Sequence, residues 1–397
     1  MRRLLLISEH FEPSSGATAQ LMSDLAKGLR SRGWNITVLT ATPGAPLEFP
    51  VIRLNATEPP DGETRGVKGK ALRGLRFLLG SLLWCVRRSR SGDVLLIVSN
   101  PPFIGLIGPL LRLSRGLPYV FIFQDLFPRS AVLGGVLPAN GPLTILWQGL
   151  MSQVCNHASQ TVVLSQAMEG RLRRDMGHQL PVTVIHNWAV EQGSQIQREH
   201  SNFAAEHGYR DRFTVQYSGN FGRLHDLLTL LETARMLQQQ AIQFVFIGGG
   251  AKKHQIQAYR KSYGLTNVLQ LPYQPRRLLP ESLAACDMAA ISLIPGAEDT
   301  VAPSKFYGIL ASGRPVLLIA RRSCDLAQLI QSAGCGLVVE PGDATELARK
   351  LLEISKHPDR VIEMGKRSLT LYQKQFGFER SLARYEEVLQ MLHQIKA

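Results

Sequence analysis

The stretch "FTVQYSGNFGRLHDLL", residues 213–228, decides the fold class. It begins with a short aromatic and β-branched run that is typical of a buried strand, and a glycine-bearing turn and a helical apolar pattern follow. Residues 4–21, "LLLISEHFEPSSGATAQL", have the same strand–turn–helix order. The two stretches therefore predict two domains of one architecture, each opening on a strand that runs into a turn containing glycine.

Apolar runs continue to alternate with helical patterns after both openings. Strands that are apolar throughout and separated by helices indicate a parallel sheet covered on both faces, so we predict an α/β fold. The further strands predicted are "NITVLT", "DVLLIVS", "PYVFIFQ", "QTVVLS" and "VTVIHN" in the first half, and "QFVFIGGG", "VLQLPY", "MAAISLI", "PVLLIA" and "GLVVE" in the second.

The chain length of 397 residues exceeds one ordinary domain. Residues 191–212 are polar and lack the apolar pattern of a strand, so we expect a linker there. This places an N-terminal domain over residues 1–190 and a C-terminal domain over residues 213–375. A last helix, residues 376–397, is expected to pack back toward the N-terminal domain.

The net charge of +14 is concentrated in residues 65–90, which contain eight lysines or arginines and no acidic residue. Such a run suits an anionic partner, either a phospholipid surface, a nucleic acid or a phosphorylated substrate. Its apolar residues are grouped as in a helix that lies in a membrane interface, although a core helix with solvated arginines fits as well. Few aromatic residues lie nearby, which disfavours nucleic acid. The predicted membrane-binding cations are Arg73, Arg76, Arg87 and Arg88.

Two apolar segments superficially resemble membrane signals. The apolar run of residues 4–7 is short, which favours a first buried strand over a signal peptide. Residues 94–111 are uncharged, but one asparagine and three prolines interrupt them, so a buried strand followed by a helix is expected. Five cysteines without a CxxC pair indicate a reducing compartment, with neither disulfides nor a zinc site.

Residues 301–320, "VAPSKFYGILASGRPVLLIA", predict a helix followed by a buried strand. Pro303 suits the first helical turn, because its missing N–H would have no partner there. Lys305 then lies at the positive end of the helix dipole, a place that disfavours cations and favours an anion. The Ser304 hydroxyl, the Lys305 ammonium and free N–H groups would together bind a diphosphate. The alternative is an idle, solvated lysine.

Two glycine turns could bind the same anion. Gly16 permits close approach of the backbone to a phosphate at a helix N-terminus, and residues 219–223, "GNFGR", form the matching turn of the second half. Each turn alone is explained equally well as an ordinary tight turn, whereas convergence of all three elements on one cleft favours a binding site. Walker A, GxSxG, HExxH and DxD patterns are absent from the sequence, which disfavours the enzyme classes that depend on them.

Together these motifs resemble the retaining glycosyltransferases of family 4, whose GT-B fold has two Rossmann-like, doubly wound domains facing a central cleft. The resemblance covers nearly the whole chain and is closest to the bacterial exopolysaccharide and O-antigen branch, which includes fucosyl- and N-acetylfucosaminyl-transferases. Its landmarks are "HFEPSSGATAQLMSDLAKGLRSRGWNITVLTA", "NPPFIGLIGPLLRLSRGLPYVFIFQDLFP", "VVLSQAM", "VIHNWA", "YSGNFGRLHDLLTLLE", "FIGGGAKK" and "PSKFYGILASGRPV".

The resemblance implies a UDP- or GDP-linked sugar as donor, with no cofactor and no metal. It places the acceptor on the N-terminal domain and the nucleotide sugar on the C-terminal domain, with the base against Leu271, Pro272 and Tyr273. The residues implied to hold the donor's diphosphate and sugar are Gly16, Gly219, Asn220, Arg223, Ser304, Lys305 and Phe306.

The sequence departs from the family pattern where two glutamates normally stand, because Thr300 and Gly308 occupy those positions. The second glutamate normally binds ribose hydroxyls, so the resemblance leaves the ribose contact unassigned. Glu298, or its neighbour Asp299, could substitute on the sugar side.

Further departures concern charge and acid–base groups. The family's common Arg and Lys of the second-domain turn fall on Asn220 and His225, and Arg223 could supply the missing charge. Asp125 is the nearest titratable group where a histidine is often found, and it is a candidate for positioning or deprotonating the acceptor. A structural carboxylate explains it as well. His10 is also expected to face the cleft.

The resemblance thus implies a metal-independent hexosyltransferase that acts with retention by front-face attack in cell-surface polysaccharide synthesis. The acceptor would be a lipid-linked or other oligosaccharide, and the enzyme would be cytoplasmic and peripheral on the inner face of the plasma membrane. Two alternatives remain open: a sugar-nucleotide epimerase on the same fold, and a non-catalytic nucleotide-sugar binder.

Overall fold

A computed structural model describes residues 2–14, 16–54, 67–190, 198 and 201–394. The chain divides into two compact units. Unit 1 contains Met1–Val190, Asp299–Ala302 and Phe378–Ala397, and unit 2 contains Glu191–Glu298 and Pro303–Gly377. The short return of residues 299–302 to unit 1 was not expected from the sequence.

The described residues form one parallel sheet in each unit, as the uninterrupted apolar strands predict. The order is β3-β2-β1-β4-β5-β6-β7 in unit 1 and β10-β9-β8-β11-β12-β13 in unit 2. The strands are β1 (Arg3–Ile7), β2 (Asn35–Thr40), β3 (Val51–Arg53), β4 (Val94–Val98), β5 (Tyr119–Ile122), β6 (Gln160–Val163), β7 (Val182–Val184), β8 (Phe213–Asn220), β9 (Ile242–Gly249), β10 (Val268–Leu271), β11 (Met288–Ser292), β12 (Val316–Ile319) and β13 (Gly336–Val339).

Helices cover both faces of each sheet, which is why the strands are apolar on both sides. On β1, Leu4 and Leu6 join one core cluster, whereas Leu5 and Ile7 join the other. The helices are α1 (Ala17–Ser31), α2 (Val67–Arg88), α3 (Ile107–Arg115), α4 (Arg129–Leu133), α5 (Pro142–His157), α6 (Gln166–Met176), α7 (Phe203–Glu206), α8 (Leu228–Met236), α9 (Lys253–Ser262), α10 (Leu279–Ala284), α11 (Lys305–Ala311), α12 (Asp325–Ala333), α13 (Ala344–Ile354), α14 (Pro358–Gln375) and α15 (Phe378–Gln394).

The strand order reverses once in each sheet, between β1 and β4 in unit 1 and between β8 and β11 in unit 2. Ligands of doubly wound sheets bind outside the carboxyl ends of the strands at such a point. In unit 1 the point lies beside Glu9, whose backbone N–H donates to the carbonyl of Asn100. In unit 2 it lies beside Gly219 and Asn220 at the end of β8.

The end of the expected linker differs from the prediction. Residues 191–197, 199 and 200 lie outside the described residues, but Phe203 and Tyr209 are buried and pack against Val245 and Ile247 of β9. The sequence did not predict that these two residues belong to the core of unit 2, because polar residues surround them. The three-residue edge strand β3 was also missed, because its run is too short to show a period.

Residues 94–111 form strand β4, a short 3-10 helix over Pro102–Leu106 and the start of α3, as expected from their prolines. Within the described ranges no helix is both long and apolar enough to cross a membrane.

The C-terminal helix α15 belongs to unit 1 and packs on α1. Arg32 at the end of α1 binds Glu379 and Glu386 of α15, and the rings of Trp188 and Phe378 pack at 5.1 Å. Gly28 makes this approach possible, because a Cβ there would lie 2.7 Å from the Phe378 ring and 2.8 Å from Leu382.

Replacing Gly28 by alanine should destabilise unit 1, because overpacking costs about 1–3 kcal/mol and exceeds the gain in helix propensity. Gly149→Ala in α5 is the matched control, since its Cβ would meet nothing within 4 Å. It should stabilise by about 0.5–1 kcal/mol. All four tryptophans (Trp34, Trp84, Trp147, Trp188) lie in unit 1, so thermal unfolding followed by tryptophan fluorescence measures this unit. Equal shifts for both variants would contradict the packing argument.

Candidate functional site

The Lys305 side chain is the centre of the candidate site in unit 2. Its Nζ lies 3.6 Å from the centroid of the Tyr217 ring, shielded from solvent, with no hydrogen-bond acceptor among the described residues. Burial lowers the pKa of Lys305 to about 7. The face of an aromatic ring attracts a cation but replaces only part of its hydration. The site is therefore prepared for an anion.

His225 adds a second nitrogen group beside Lys305. Its Nδ1 lies 2.9 Å from the carbonyl of Asn220 and also contacts the hydroxyl of Tyr217. Burial, assisted by the charges of Lys305 and Lys252, lowers the pKa of His225 to about 3. The imidazole is thus neutral at physiological pH, and the groups near this turn that can carry positive charge are Lys305, Lys252 and Arg223.

Lys252 was missed from the sequence. Its Nζ donates to the carbonyl of His225, so it lies at the turn where the family pattern places a lysine. A signal in the sequence was its position two residues after the three glycines 248–250. Arg223, which was expected to supply the missing charge, has an exposed side chain on the same turn.

Glycines allow this close arrangement of backbone and side chains. Gly219 has φ 121°, and a Cβ there would lie 3.6 Å from Nζ of Lys305. A Cβ at Gly248 would lie 2.0 Å from the carbonyl oxygen of Gly219, and one at Gly250 would lie 2.3 Å from Oδ1 of Asn220. Gly248 and Gly250 therefore serve the packing of one turn on the other.

Helix α11 is shorter than the pattern of residues 301–320 suggests. It runs from Lys305 to Ala311, with Ser304 as its N-cap. Seven residues make a weak dipole, so the Lys305 side chain is the main attraction for an anion. Phe306 was expected to hold the donor, but its side chain is buried against Tyr307 and Phe376 and its backbone N–H donates to Pro303.

The residues expected to bind the base lie at the same end of the sheet. Leu271 ends β10, and Pro272 and Tyr273 follow it with exposed side chains. The Tyr273 hydroxyl donates to the carbonyl of Gly249 at 3.3 Å. An exposed aromatic ring anchored at the end of β9 offers a surface for a planar base.

Glu298, a candidate on the sugar side, has a structural role. Its carboxylate is almost fully buried and accepts hydrogen bonds from the guanidinium of Arg321 at 3.1 and 3.0 Å. It also accepts from the backbone N–H groups of Gly296 and Arg321. With these donors in place, the carboxylate of Glu298 holds the loop after β11 in position.

Several of the expected residues lie in unit 1. Gly16 is the exposed N-cap of α1, where a Cβ would come no closer than 3.7 Å to Ser14. His10 follows β1, with its Nε2 3.8 Å from the carboxylate of Glu9. Arg73 was expected to face a membrane, but it forms an ion pair with this same Glu9 at 2.9 Å. Its charge is therefore neutralised within unit 1.

Asp125 follows β5 and forms an antiparallel bridge with Val301. Burial of the carboxyl raises the pKa of Asp125 to about 6, although the residue as a whole is exposed to solvent. A carboxylate with solvent access and a pKa near neutrality has the properties of a general base.

Two family models match the chain. Residues 18–189 match the model described as Glycosyltransferase Family 4, and residues 200–369 match the model described as Glycosyl transferases group 1. The matches correspond to the two halves of the chain and together leave only the termini and residues 190–199 unmatched.

Two curated bacterial proteins are similar in sequence. The probable glycosyltransferase WbjE of Pseudomonas aeruginosa is 28% identical over 370 residues, which are 89% of this chain and 90% of that protein. The putative colanic acid biosynthesis glycosyl transferase WcaI of Escherichia coli (strain K12) is 31% identical over 159 residues, 39% of each chain.

Solved structures share the fold. Sucrose-phosphate synthase from Thermosynechococcus elongatus has a TM-score of 0.80 at 19% identity, with full coverage of both chains. Anabaena HepE in complex with UDP-glucose has a TM-score of 0.73 at 16% identity, covering 98% of this chain and 99% of that one. These are GT-B folds, as the resemblance predicts.

Anion binding at Lys305 should be coupled to proton uptake. The free protein has a Lys305 pKa of about 7, so the amine is mostly neutral at pH 8. A bound anion favours the ammonium and raises the pKa of Lys305, so binding takes up part of a proton and affinity falls as pH rises above about 7. Calorimetric titration with inorganic diphosphate at pH 8, in buffers of different ionisation enthalpy, measures this uptake. A heat that does not depend on the buffer would contradict the assignment.

Proposed function

The chain belongs to the glycosyltransferases of family 4, and we propose that it transfers a sugar, with retention, from UDP-sugar to a lipid-linked saccharide in cell-surface polysaccharide synthesis. The observation that carries this proposal is the buried ammonium of Lys305, which has no acceptor in the described part of the chain. The relative WcaI, which is named for colanic acid biosynthesis, and the UDP-glucose complex of HepE support it.

In the proposed reaction the donor diphosphate lies against Lys305, the turn of Gly219 and Asn220, and the nearby charge of Lys252. When the bond between the anomeric carbon and the diphosphate breaks, negative charge grows on the leaving phosphate. Cations already fixed there stabilise the transition state more than the ground state. We propose that these side chains perform the neutralisation for which other enzymes use a metal.

The proposed acceptor chemistry is front-face attack. The acceptor hydroxyl attacks the anomeric carbon on the side from which the diphosphate leaves, so the configuration is retained. Its proton passes to the leaving phosphate, and Asp125 positions the hydroxyl. The base stacks on Tyr273.

Turnover separates this function from its two alternatives. Purified protein is incubated with a panel of UDP- and GDP-sugars and acceptor membranes. Release of nucleoside diphosphate together with labelled glycolipid supports the transferase. An isomerised donor without transfer would identify an epimerase, and donor binding without turnover would identify a non-catalytic binder.

Lys305→Ala should weaken UDP binding by about 1.5–3 kcal/mol, because a charge-assisted hydrogen bond to phosphate is lost. Lys374→Ala, an exposed lysine of α14, is the matched control and should bind UDP as the parent does. Titration calorimetry measures both. Unchanged affinity in Lys305→Ala would exclude Lys305 from the donor site.

Helix α2 supports the proposed membrane attachment, because it has two apolar faces. Phe77, Ser81 and Cys85 are buried on one face. The opposite stripe is exposed at helical spacing, and Arg76, Arg87 and Arg88 are exposed beside it. A core helix with solvated arginines would have only the first face. We therefore propose that α2 lies in the interface of an anionic membrane. The exposed stripe is Leu72, Leu75, Leu79, Leu83 and Val86.

Removing two charges from α2, Arg87→Gln with Arg88→Gln, should reduce binding to vesicles that contain anionic lipid, since each cation near the surface contributes about 1 kcal/mol. The matched control, Arg260→Gln with Lys261→Gln, removes two exposed charges from α9 of unit 2. Sedimentation with vesicles at fixed salt compares the two. Equal losses would indicate a response to net charge alone.

A further inference from the structure

We infer that three arginines of unit 1 form a subsite for a phosphate or diphosphate of the acceptor. Arg129 begins α4, and Arg171 and Arg174 lie one turn apart on α6. All three guanidinium groups converge on the carboxylate of Asp299. We call Arg129, Arg171 and Arg174 the arginine cluster. The inference rests on the proposed transferase function, which it deepens by locating part of the acceptor.

The contacts around Asp299 are numerous but long. Arg129 Nε lies 3.5 Å from Oδ1, Arg174 Nη2 lies 3.6 Å from Oδ2, and Arg171 Nη1 lies 4.0 Å from Oδ2. Charge-assisted hydrogen bonds between such groups normally measure about 2.7–2.9 Å. One carboxylate therefore faces three cations without a close bond to any of them.

The donors of the cluster are only partly used. Arg129 Nε donates to the hydroxyl of Thr300 at 3.0 Å, and Arg171 binds Asp175 at 2.7 Å. For Arg174, Asp299 is the one ion-pair partner in the described part of the chain, and its side chain is 58% exposed. Each guanidinium has five N–H donors in a planar fork that fits phosphate oxygens. A phosphate carries more charge and more acceptors than the single carboxylate.

The cluster lies beside Asp125, the residue proposed to position the acceptor hydroxyl. The backbone N–H of Leu126, next to Asp125, donates to the carbonyl of Thr300 at 2.9 Å. The same bridge thus holds Asp125 and the Asp299–Thr300 segment together within unit 1. An acceptor whose hydroxyl is positioned by Asp125 would bring groups close to its reacting sugar near the arginines. A diphosphate that joins the sugar to a carrier fits this place.

The source of the phosphate is suggested by the helix that follows. Helix α5 exposes Leu143, Ile145 and Leu146, and its Trp147 ring packs against Phe127, two residues before Arg129. Apolar side chains next to a cation cluster suit a diphosphate with a hydrocarbon chain. A free phosphate would use the arginines alone.

The competing explanation is that the arginines only clamp residues 299–302 onto unit 1. The two explanations differ for Asp299→Asn. If the cluster binds anions, removing the competing carboxylate strengthens binding. If it is only a clamp, the substitution lowers the melting temperature and leaves anion affinity unchanged.

The test uses the full chain with saturating UDP, titrated with farnesyl diphosphate and with inorganic diphosphate. Arg174→Gln should weaken the binding of both diphosphates by roughly tenfold, the loss expected for one charge-assisted contact. Asp299→Asn should strengthen the binding of both diphosphates. The matched control is Arg384→Gln, whose side chain in α15 is 54% exposed and paired with Glu387. Tighter binding of farnesyl diphosphate than of inorganic diphosphate identifies a lipid-linked ligand, and equal affinity identifies a free phosphate in the same subsite.

If diphosphate affinity is unchanged in both Arg174→Gln and Asp299→Asn, the inference is wrong. The arginines then only hold residues 299–302 on unit 1. The Lys305→Ala protein separates this result from failure of the proposed function. If that protein still binds farnesyl diphosphate and still responds to Arg174→Gln, the subsite in unit 1 stands whatever UDP does in unit 2.

Discussion

The ammonium of Lys305 lies against the Tyr217 ring with no hydrogen-bond acceptor among the described residues, and the rest of the site follows from that constraint. A buried cation held only by a ring face loses hydration that the ring does not fully replace, so the pKa of Lys305 falls to about 7. This arrangement destabilises the protein when no anion is bound. It becomes favourable when an anion arrives, and a leaving diphosphate is an anion that grows in charge during the reaction.

The doubly wound sheet places this cation where it can act. Tyr217 lies on β8 at the point where the strand order reverses, and Gly219 and Asn220 continue the strand into the turn. Position 248 requires glycine, because a Cβ there would clash with the carbonyl oxygen of Gly219. Gly219 itself has no side chain, and a Cβ there would lie 3.6 Å from Nζ of Lys305, so the glycine lets a phosphate approach the amine.

Much of the architecture could be predicted because its signals are local. The strands β2 and β8 have the bounds that their apolar runs indicate, and α1 begins directly after Gly16. The roles of charged residues could not be read in the same way. Arg73 resembles its neighbours on a basic helix, yet it binds Glu9, 64 residues earlier in the chain. Glu298 resembles a catalytic carboxylate, yet Arg321 and two backbone N–H groups bind it.

The sequence by itself determined the two parallel sheets, the glycine turns and the position of Lys305 at the start of a helix, because periodicity, turn chemistry and helix termini depend on neighbours a few residues apart. Only the tertiary structure decided which charges are neutralised and which remain available. In the part of the chain that the structure describes, Lys305 has no acceptor, Glu9 binds Arg73, and three arginines share Asp299. Ion pairing and burial depend on distances in space, and these are set by the packing of strands and helices that lie far apart in the chain.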